Sequence, residues 1–362
     1  MMYNRSYGIK KQEVKTMKKK MMIINIAIIV FVTLLLVFYL FFVDGFDNFI
    51  NAFKNASLIP MLTAFLMIIV YWILESLTVY VMAKKVYPPH QLKNSIKTVM
   101  IGQLFNSITP FATGGQPMQA FVLCQRGMPA GLATFSLFSR FIVYQIVLTI
   151  FSIIALIFRL NFFVSHISSL GYIVLIGFLV NFAVVAGLLM IAFFRNGTKK
   201  VAKALIVLLH KTKIVKSQEE LIQKTNDQID LFYENMCELK KYTGVIIKMV
   251  ILTAFQLIAY FSIPYFICIS LGAEDLSLFN VLCSSSFVLM ISSFVPLPGA
   301  ALGAEGSFLL FFSMYFTDSE YISTAMLIWR FITFYLPIIF GVMFLNRLHK
   351  IENITLTSEG NE

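Results

Sequence analysis

The sequence predicts an all-α polytopic membrane protein with about six full spans and two oppositely oriented re-entrant helical hairpins, arranged as an inverted repeat. Of its 362 residues, 59% are hydrophobic and only 13% are charged, whereas a soluble domain is about 45–50% apolar and about 25% charged. Several apolar runs reach the length of about 20 residues that crosses a bilayer. Two further runs are broken by proline and glycine, which predicts irregular backbone at membrane depth.

The apolar runs define the predicted spans in order along the chain. The full spans are residues 21–43, 59–83, 131–158, 170–194, 245–271 and 321–346, and the broken segments are 98–124 and 280–316. Residues 1–20 carry seven basic side chains against one acid. We therefore expect a cytoplasmic N-terminus that is not a cleaved signal peptide, since the first apolar run is too long for one.

Loop charges predict the orientation of each segment. Basic side chains collect in the 84–97 loop and in the 195–244 connector, whereas acidic side chains mark the loops at 274–275 and 318–320. Basic loops stay in the cytoplasm. All basic loops lie in the cytoplasm and all acidic loops outside only if both broken segments are re-entrant. Segment 98–124 then enters from the cytoplasm and returns to it, and segment 280–316 enters from the outside and returns there.

The same orientation predicts two halves of opposite topology. The first half is residues 59–194 with its hairpin at 98–124, and the second is residues 245–346 with its hairpin at 280–316. A cytoplasmic connector at 195–244 joins the halves, and a cytoplasmic tail at 347–362 follows them. Inverted halves with discontinuous helices are typical of secondary transporters.

The first break contains the residues needed to stop one helix and start another. It reads Ser107-Ile108-Thr109-Pro110-Phe111-Ala112-Thr113-Gly114-Gly115-Gln116-Pro117. Thr109 precedes a proline and is pushed to an extended conformation, and Gly114 and Gly115 permit a tight return. Pro117 suits the first turn of the next helix, whose free N–H groups would favour an anion.

The second break has the same ingredients and adds an acid. It reads Pro296-Leu297-Pro298-Gly299-Ala300-Ala301-Leu302-Gly303-Ala304-Glu305-Gly306. The prolines end the inward helix, and Gly299 and Gly303 make the turn. Glu305 is predicted in the first turn of the return helix, where it either contributes to a site or only caps the helix.

An arginine follows each break inside an apolar run. Arg140 and Arg330 each lie about nine residues after the start of a span, which places them roughly 13 Å into the membrane. A central arginine costs about 2.5–3.5 kcal/mol on insertion scales, so both are expected to face a partner. Glu75 and Glu305 are the candidate partners. Either these are ion pairs that hold the hairpins, or the arginines bind a phosphate and the acids keep the empty site neutral.

Other classes of chemistry find little support. The four cysteines and four histidines show no metal-ligand spacing, so we expect no metal, cofactor or catalytic residue. The net charge of +11 is distributed over alternate loops, which disfavours a nucleic-acid partner.

Around these breaks the chain resembles the transmembrane, flippase-like domain of the bacterial lysylphosphatidylglycerol synthase/flippase family. The resemblance rests on Ser107-Ile108-Thr109-Pro110 with Gly114-Gly115-Gln116-Pro117, and on Pro296-Leu297-Pro298-Gly299 with Gly303 and Glu305-Gly306. Ala300 and Leu302 stand where glycines are expected, and Gln116 is neutral where many members carry an acid. The resemblance implies movement of an anionic or aminoacylated lipid between leaflets. Full-length members add a cytosolic aminoacyl-transferase domain, and we expect that this chain does not catalyse lysyl transfer alone.

The sequence therefore predicts a lipid translocase of the bacterial plasma membrane with a membrane phospholipid, such as lysylphosphatidylglycerol, as its partner. A lipid-modifying enzyme is a further candidate partner. Two alternatives stay open: a lipid-modification protein of the phosphatidylglycerol lysyltransferase type, and a transporter of a small solute. The predicted substrate-binding residues are Glu75, Thr109, Pro110, Gly114, Gly115, Gln116, Arg140, Pro298, Gly299, Gly303, Glu305 and Arg330.

Overall fold

The computed structural model of the protein describes residues 56–166, 194–211, 239–273, 276–293, 295–316 and 320–345, with isolated positions at 54, within 179–187 and within 219–234. These residues form helices and turns, and no strand occurs among them. The predicted span at 21–43, the N-terminus and the tail lie outside the described residues, as does nearly all of the predicted span at 170–194.

Nine helices are described. They are α1 (Leu58–Val86), α2 (Leu92–Ile108), α3 (Gly115–Gln125), α4 (Ala130–His166), α5 (Arg195–Lys211), α6 (Thr243–Ser270), α7 (Leu278–Ser292), α8 (Gly303–Phe312) and α9 (Glu320–Arg330). A π-helical turn at Phe331–Tyr335 carries α9 onward to Leu345. Short 3₁₀ turns lie at Pro110–Ala112, Leu239–Tyr242, Pro298–Ala300 and Ser313–Tyr315.

Four of the predicted spans are confirmed as helices long and apolar enough to cross a membrane. They cover Leu58–Val86, Ala130–Arg159, Thr243–Ser270 and Tyr321–Leu345. On α1 the large apolar side chains Leu62, Leu66, Ile69 and Ile73 are exposed. Their spacing of three and four residues places them on one helical stripe. A continuous exposed apolar stripe of this kind suits contact with lipid tails.

Both breaks predicted from the sequence interrupt their apolar segments. The first separates α2 from α3, and the second separates α7 from α8, each with a single 3₁₀ turn between the two helices. Helices α7 and α8 pack against each other, with the rings of Phe287 and Phe311 5.7 Å apart. The return of each segment to its side of entry stays a prediction.

The described residues divide into two compact units. The first unit consists of the described residues within 1–70, 100–118 and 259–362, and the second of those within 71–99 and 119–258. In the first unit, Ser270 Oγ donates to the Ser57 carbonyl at 2.8 Å, and Ser285 Oγ donates to the Phe261 carbonyl at 2.9 Å. Serine hydroxyls that bond to a neighbouring backbone allow close helix approach within a membrane protein.

The second unit has an apolar core formed by the last part of α1, the middle of α2, the end of α3 and the start of α4. The buried side chains are Val79, Ala83, Val99, Leu123, Met128, Ala133 and Leu137, from α1 to α4. Helix α5 also belongs to this unit. Its Lys199 donates to Asp230 at 2.7 Å, and this hydrogen bond holds the pKa of the Asp230 carboxyl below its usual value, with Arg195 adding to the effect.

Candidate functional site

The two breaks share one backbone conformation. In each, an extended residue precedes a proline, and two residues with positive φ follow it. The matching pairs are Thr109 with Leu297, Pro110 with Pro298, Phe111 with Gly299, and Ala112 with Ala300. Residues other than glycine rarely adopt positive φ. Such strained positions persist where the surrounding structure holds them and are frequent at functional sites.

The first turn is held by the side chain of Thr109. Its Oγ1 donates to the Phe105 carbonyl at 2.6 Å and accepts from the Gly114 backbone N–H at 2.8 Å. The hydroxyl thus ties the end of α2 to the residue before α3. A methyl group added at Gly115 would collide with the Asn106 side chain, so the paired glycines permit a return that a larger residue would block.

The second turn is closed by an aromatic ring. Gly299 has a φ of +63°, and a methyl group at this position would collide with the ring of Phe334. Two independent constraints, conformation and space, therefore select glycine here. Leu302, the residue directly before α8, has a φ of +67° although it carries a full side chain.

The two turns meet within the first unit. We call the segment Pro110–Ala112 the first tip and the segment Pro298–Ala300 the second tip, and the two tips contact each other. The two tips are almost two hundred residues apart in the chain, and they touch at the points where the two helix pairs are interrupted. At each tip, 3₁₀-type hydrogen bonds such as Ala112 N–H to the Thr109 carbonyl and Ala300 N–H to the Leu297 carbonyl replace the regular helical ladder.

Arg330 binds the second tip directly. Its Nη2 donates to the Gly299 carbonyl at 3.1 Å, and its Nε donates to Glu305 Oε1 at 2.6 Å. The guanidinium carbon also lies 5.4 Å from the ring of Trp329 and 5.2 Å from that of Phe334, distances suited to cation–π attraction. The arginine is only 5% exposed, so its charge is balanced by protein groups alone.

Glu305 occupies the first turn of α8 and is 6% exposed. Its Oε1 accepts from Arg330, whereas its Oε2 is buried and has no hydrogen-bond partner among the described residues. No described side chain caps the N-terminus of α8. A carboxylate in a first helical turn is stabilised by the helix dipole, and the site as a whole is neutral.

Arg140 and Glu75 form a second pair, in the second unit. Arg140 Nη2 donates to Glu75 Oε1 at 2.6 Å, and the side chains are 14% and 2% exposed. Arg140 Nε and the neighbouring Ser139 hydroxyl are buried without a described hydrogen-bond partner. The pair joins α1 to α4 and leaves donor capacity on the guanidinium.

The predicted site residues thus fall into two groups. Those of the two turns, together with Glu305 and Arg330, lie in the first unit: Thr109, Pro110, Gly114, Gly115, Gln116, Pro298, Gly299 and Gly303. Arg140 and Glu75 lie in the second unit. No group of three or more His, Cys, Asp or Glu side chains that could hold a metal occurs in the described part of the chain.

Sequence reasoning missed the aromatic surroundings of Arg330. Trp329 precedes the arginine and Phe334 follows it by four residues, on the same side of the helix. That spacing was readable in the sequence as a cation–aromatic pair. Sequence reasoning also missed the π-helical turn at Phe331–Tyr335. Pro337 follows it by two residues, and a proline inside a helix removes a backbone hydrogen bond and disturbs the turn before it. Such turns are frequent at functional sites.

Long apolar helices and two broken helix pairs define a helical, multi-pass membrane protein. The chain matches the sequence model of the lysylphosphatidylglycerol synthase TM region family over residues 22–341 and belongs to this family, which confirms the resemblance inferred from the breaks. A UPF0104 membrane protein of Archaeoglobus fulgidus is 24% identical over 304 residues, which cover 82% of this chain and 88% of the relative.

Proposed function

We propose that this protein moves an anionic or aminoacylated phospholipid, such as lysylphosphatidylglycerol, between the leaflets of the bacterial plasma membrane. The single observation that carries the proposal is the contact between the two tips, with Arg330 bonded to the second of them. Membership of a family named for lysylphosphatidylglycerol synthase supports a lipid as the substrate.

The chemistry of the tip contact favours an anion. A guanidinium suits the oxygens of a phosphate, which it can bind through two parallel hydrogen bonds. Helix α8 begins beside this guanidinium, and the positive end of a helix dipole also attracts negative charge. The head group of a phospholipid presents a phosphate with these requirements. Glu305 keeps the site neutral when it is empty.

The proposed cycle depends on membrane topology. Both broken segments are re-entrant, the halves that contain them have inverted orientation, and both termini face the cytoplasm. Alternating access in proteins of this design is a rocking of one repeat against the other around a fixed site. Within the second unit, Arg140 is buried with Glu75, and we propose that this arginine makes a separate contact with the lipid during the cycle.

Neutral replacement of each buried pair tests the site. Removing one partner alone leaves an unpaired buried charge, which costs about 3–5 kcal/mol, so Arg330→Gln/Glu305→Gln and Arg140→Gln/Glu75→Gln are compared with wild type. The matched control is Arg195→Gln/Asp230→Asn, which neutralises an ion pair that is more exposed. Each purified protein is reconstituted into vesicles with a trace of fluorescent phosphatidylglycerol or its lysyl derivative, and dithionite reports the label in the outer leaflet.

We expect wild type and control to expose inner-leaflet label over time. The Arg330 double variant should be about tenfold slower or more, because a hydrogen bond to a charged group is worth about 1.5–3 kcal/mol. The Arg140 double variant should be slowed as well. Wild-type rates in both variants would refute the site, and failure of the wild type to translocate either lipid would refute the function. Uptake of a soluble anion instead would favour the small-solute transporter.

A further inference from the structure

We propose that Glu305 couples lipid binding to a proton, so that an anionic head group enters the tip contact together with one proton. This inference rests on the proposed function and adds that proton uptake accompanies lipid binding at the same site. It starts from an asymmetry in the carboxylate. Oε1 accepts from Arg330 Nε at 2.6 Å, whereas Oε2 is buried without a hydrogen-bond partner among the described residues.

The unpartnered oxygen is where a proton can be added without breaking the ion-pair contact. A protonated carboxyl group keeps its other oxygen as a hydrogen-bond acceptor, so the bond from Arg330 Nε to Oε1 survives. Protonation therefore changes the charge of the site without dismantling its geometry. Arg330 is left with a positive charge that no acid balances, although its bond to the Gly299 carbonyl remains.

Charge balance then links the two events. With Glu305 ionised, the pair is neutral, and an anion bound at Arg330 would leave a net negative charge buried in an apolar helix. With Glu305 protonated, the anion balances Arg330, and the occupied site is neutral again. Unbalanced charge inside a membrane is costly, so the protonated site binds the anion more tightly. By reciprocity, the bound anion favours uptake of the proton.

The other ionisable side chains described near Glu305 are uncharged near neutral pH, so the charge balance of the site depends on Glu305 and Arg330. Among the described residues, Arg330 is the charged side chain that pairs with Glu305, and the 3₁₀ turn packed on α8 adds the phenol of Tyr315. Tyr260 of α6 lies near Arg330 and hydrogen-bonds with Thr333, and Cys283 is the titratable side chain of α7, which packs on α8. A phenol and a thiol supply no fixed charge near neutral pH. The first tip contains no ionisable side chain.

Calorimetry in two buffers tests the coupling. Purified full-length protein in an uncharged detergent is titrated with short-chain phosphatidylglycerol at a series of mildly acidic to mildly alkaline pH values. Each titration is repeated in a second buffer with a different ionisation enthalpy, because the difference in heat gives the number of protons taken up. Wild type, Glu305→Gln and the Arg330→Gln/Glu305→Gln double variant are compared, with Arg195→Gln/Asp230→Asn as the control.

We expect wild type and control to take up close to one proton per lipid in part of this range. At higher pH the affinity should fall by up to about tenfold per pH unit, as linkage of one proton requires. Glu305→Gln, which keeps an oxygen for Arg330, should still bind the lipid, with no proton uptake and an affinity independent of pH. The double variant should bind at least about tenfold more weakly than Glu305→Gln at every pH, since it lacks the guanidinium.

The possible failures are distinct. Lipid binding by wild type without proton uptake at any pH would overturn the coupling and leave the proposed function standing. Equal uptake by wild type and Glu305→Gln would place the proton elsewhere and would also overturn it. No binding by wild type would overturn the proposed function, and the coupling with it. The wild-type titration decides the first and third cases even if a variant fails to fold.

Discussion

His90 is a residue whose charge the fold suppresses. It lies in the short link between α1 and α2 and is 2% exposed, and its Nε2 is 2.7 Å from the Ser95 hydroxyl. Burial lowers the pKa of this imidazole below its ordinary value, and the nearby Lys84 adds to the effect. The folded protein therefore favours the neutral ring, which can share a hydrogen bond with Ser95.

This arrangement predicts a pH dependence of stability. Because the pKa of His90 is lower in the folded state, the unfolded chain binds a proton first as the pH falls below about 6.5. The stability that the neutral ring provides is thus present above this pH and is lost as the pH falls towards the lowered folded pKa. Thermal unfolding in detergent at a series of pH values should show the loss in wild type and a smaller loss in His90→Gln.

The matched comparison for His90→Gln is His349→Gln, a histidine in the predicted tail. Gln can still hydrogen-bond with Ser95 but does not titrate. If His90→Gln loses stability with acid as steeply as wild type and the tail variant do, then another group causes the pH dependence. The measurement is the difference between the unfolding temperatures at neutral and mildly acidic pH.

At the residue scale, the sequence predicted the ion pairs of the buried arginines but not the packing of aromatic rings around them. A buried arginine in an apolar run requires a partner, and Glu305 and Glu75 were the acids at suitable depth. Both ion pairs are present in the structure. The contacts of Arg330 with Trp329 and Phe334 lie within one helix and could have been read from the sequence. The position of the Phe334 ring against Gly299 depends on how this helix is rotated beside the second tip, and no local residue pattern determines that rotation.

A strained residue directly precedes helix α8. Leu302 has a φ of +67° and a ψ of −39°, which lies outside the helical regions of either hand, and its side chain is 56% exposed. Sparsely populated conformations of this kind cost about 1–3 kcal/mol. The sequence comparison with the family anticipated glycine at this position and at Ala300, and both positions have positive φ in the structure.

Relief of this strain is measurable by substitution. Leu302→Gly should stabilise the protein by about 1 kcal/mol. Glycine adopts φ +67° without steric strain, and the relief of a strain of about 1–3 kcal/mol exceeds the entropic cost of glycine on folding, which is about 0.5–1 kcal/mol. Leu302→Ala is the matched control, since it removes the same exposed side chain but keeps the Cβ atom. Unfolding temperatures in detergent should rank Leu302→Gly above Leu302→Ala. The reverse ranking would show that the turn is not strained.

At the scale of helices, the sequence predicted those elements that follow directly from the composition of a segment. Four apolar runs are helices, because every backbone group in a membrane must be bonded internally and a helix achieves this. Three of them end within a few residues of the predicted bounds, whereas α4 continues to His166, eight residues beyond its predicted end. The breaks were also predicted, because proline and paired glycine stop a helix. The π-helical turn after Arg330 was not predicted. Its sequence signal is Pro337, two residues beyond the turn Phe331–Tyr335, because a proline inside a helix removes a backbone hydrogen bond.

At the scale of the whole molecule, the charges of the loops predict on which side of the membrane each loop lies. The loop charges favour re-entrant segments, because a crossing at 98–124 would place the basic connector outside and the acidic loops inside. The two breaks share one turn conformation, although the chain shows no residue-by-residue repeat. Equivalent turns entered from opposite faces are what an inverted pair of halves produces.

Labelling of single cysteines from each side tests this topology. In a variant without its four native cysteines, one cysteine is placed at Lys93, Pro129, Ser277 or Asp318, which flank the two broken segments. If both segments re-enter, Lys93→Cys and Pro129→Cys react only with a reagent supplied to the cytoplasmic face, and Ser277→Cys and Asp318→Cys react only from outside. If a segment crosses instead, the two positions that flank it react from opposite faces. That result at either segment would remove the inverted repeat, and with it the fixed central site that the proposed alternation of access requires.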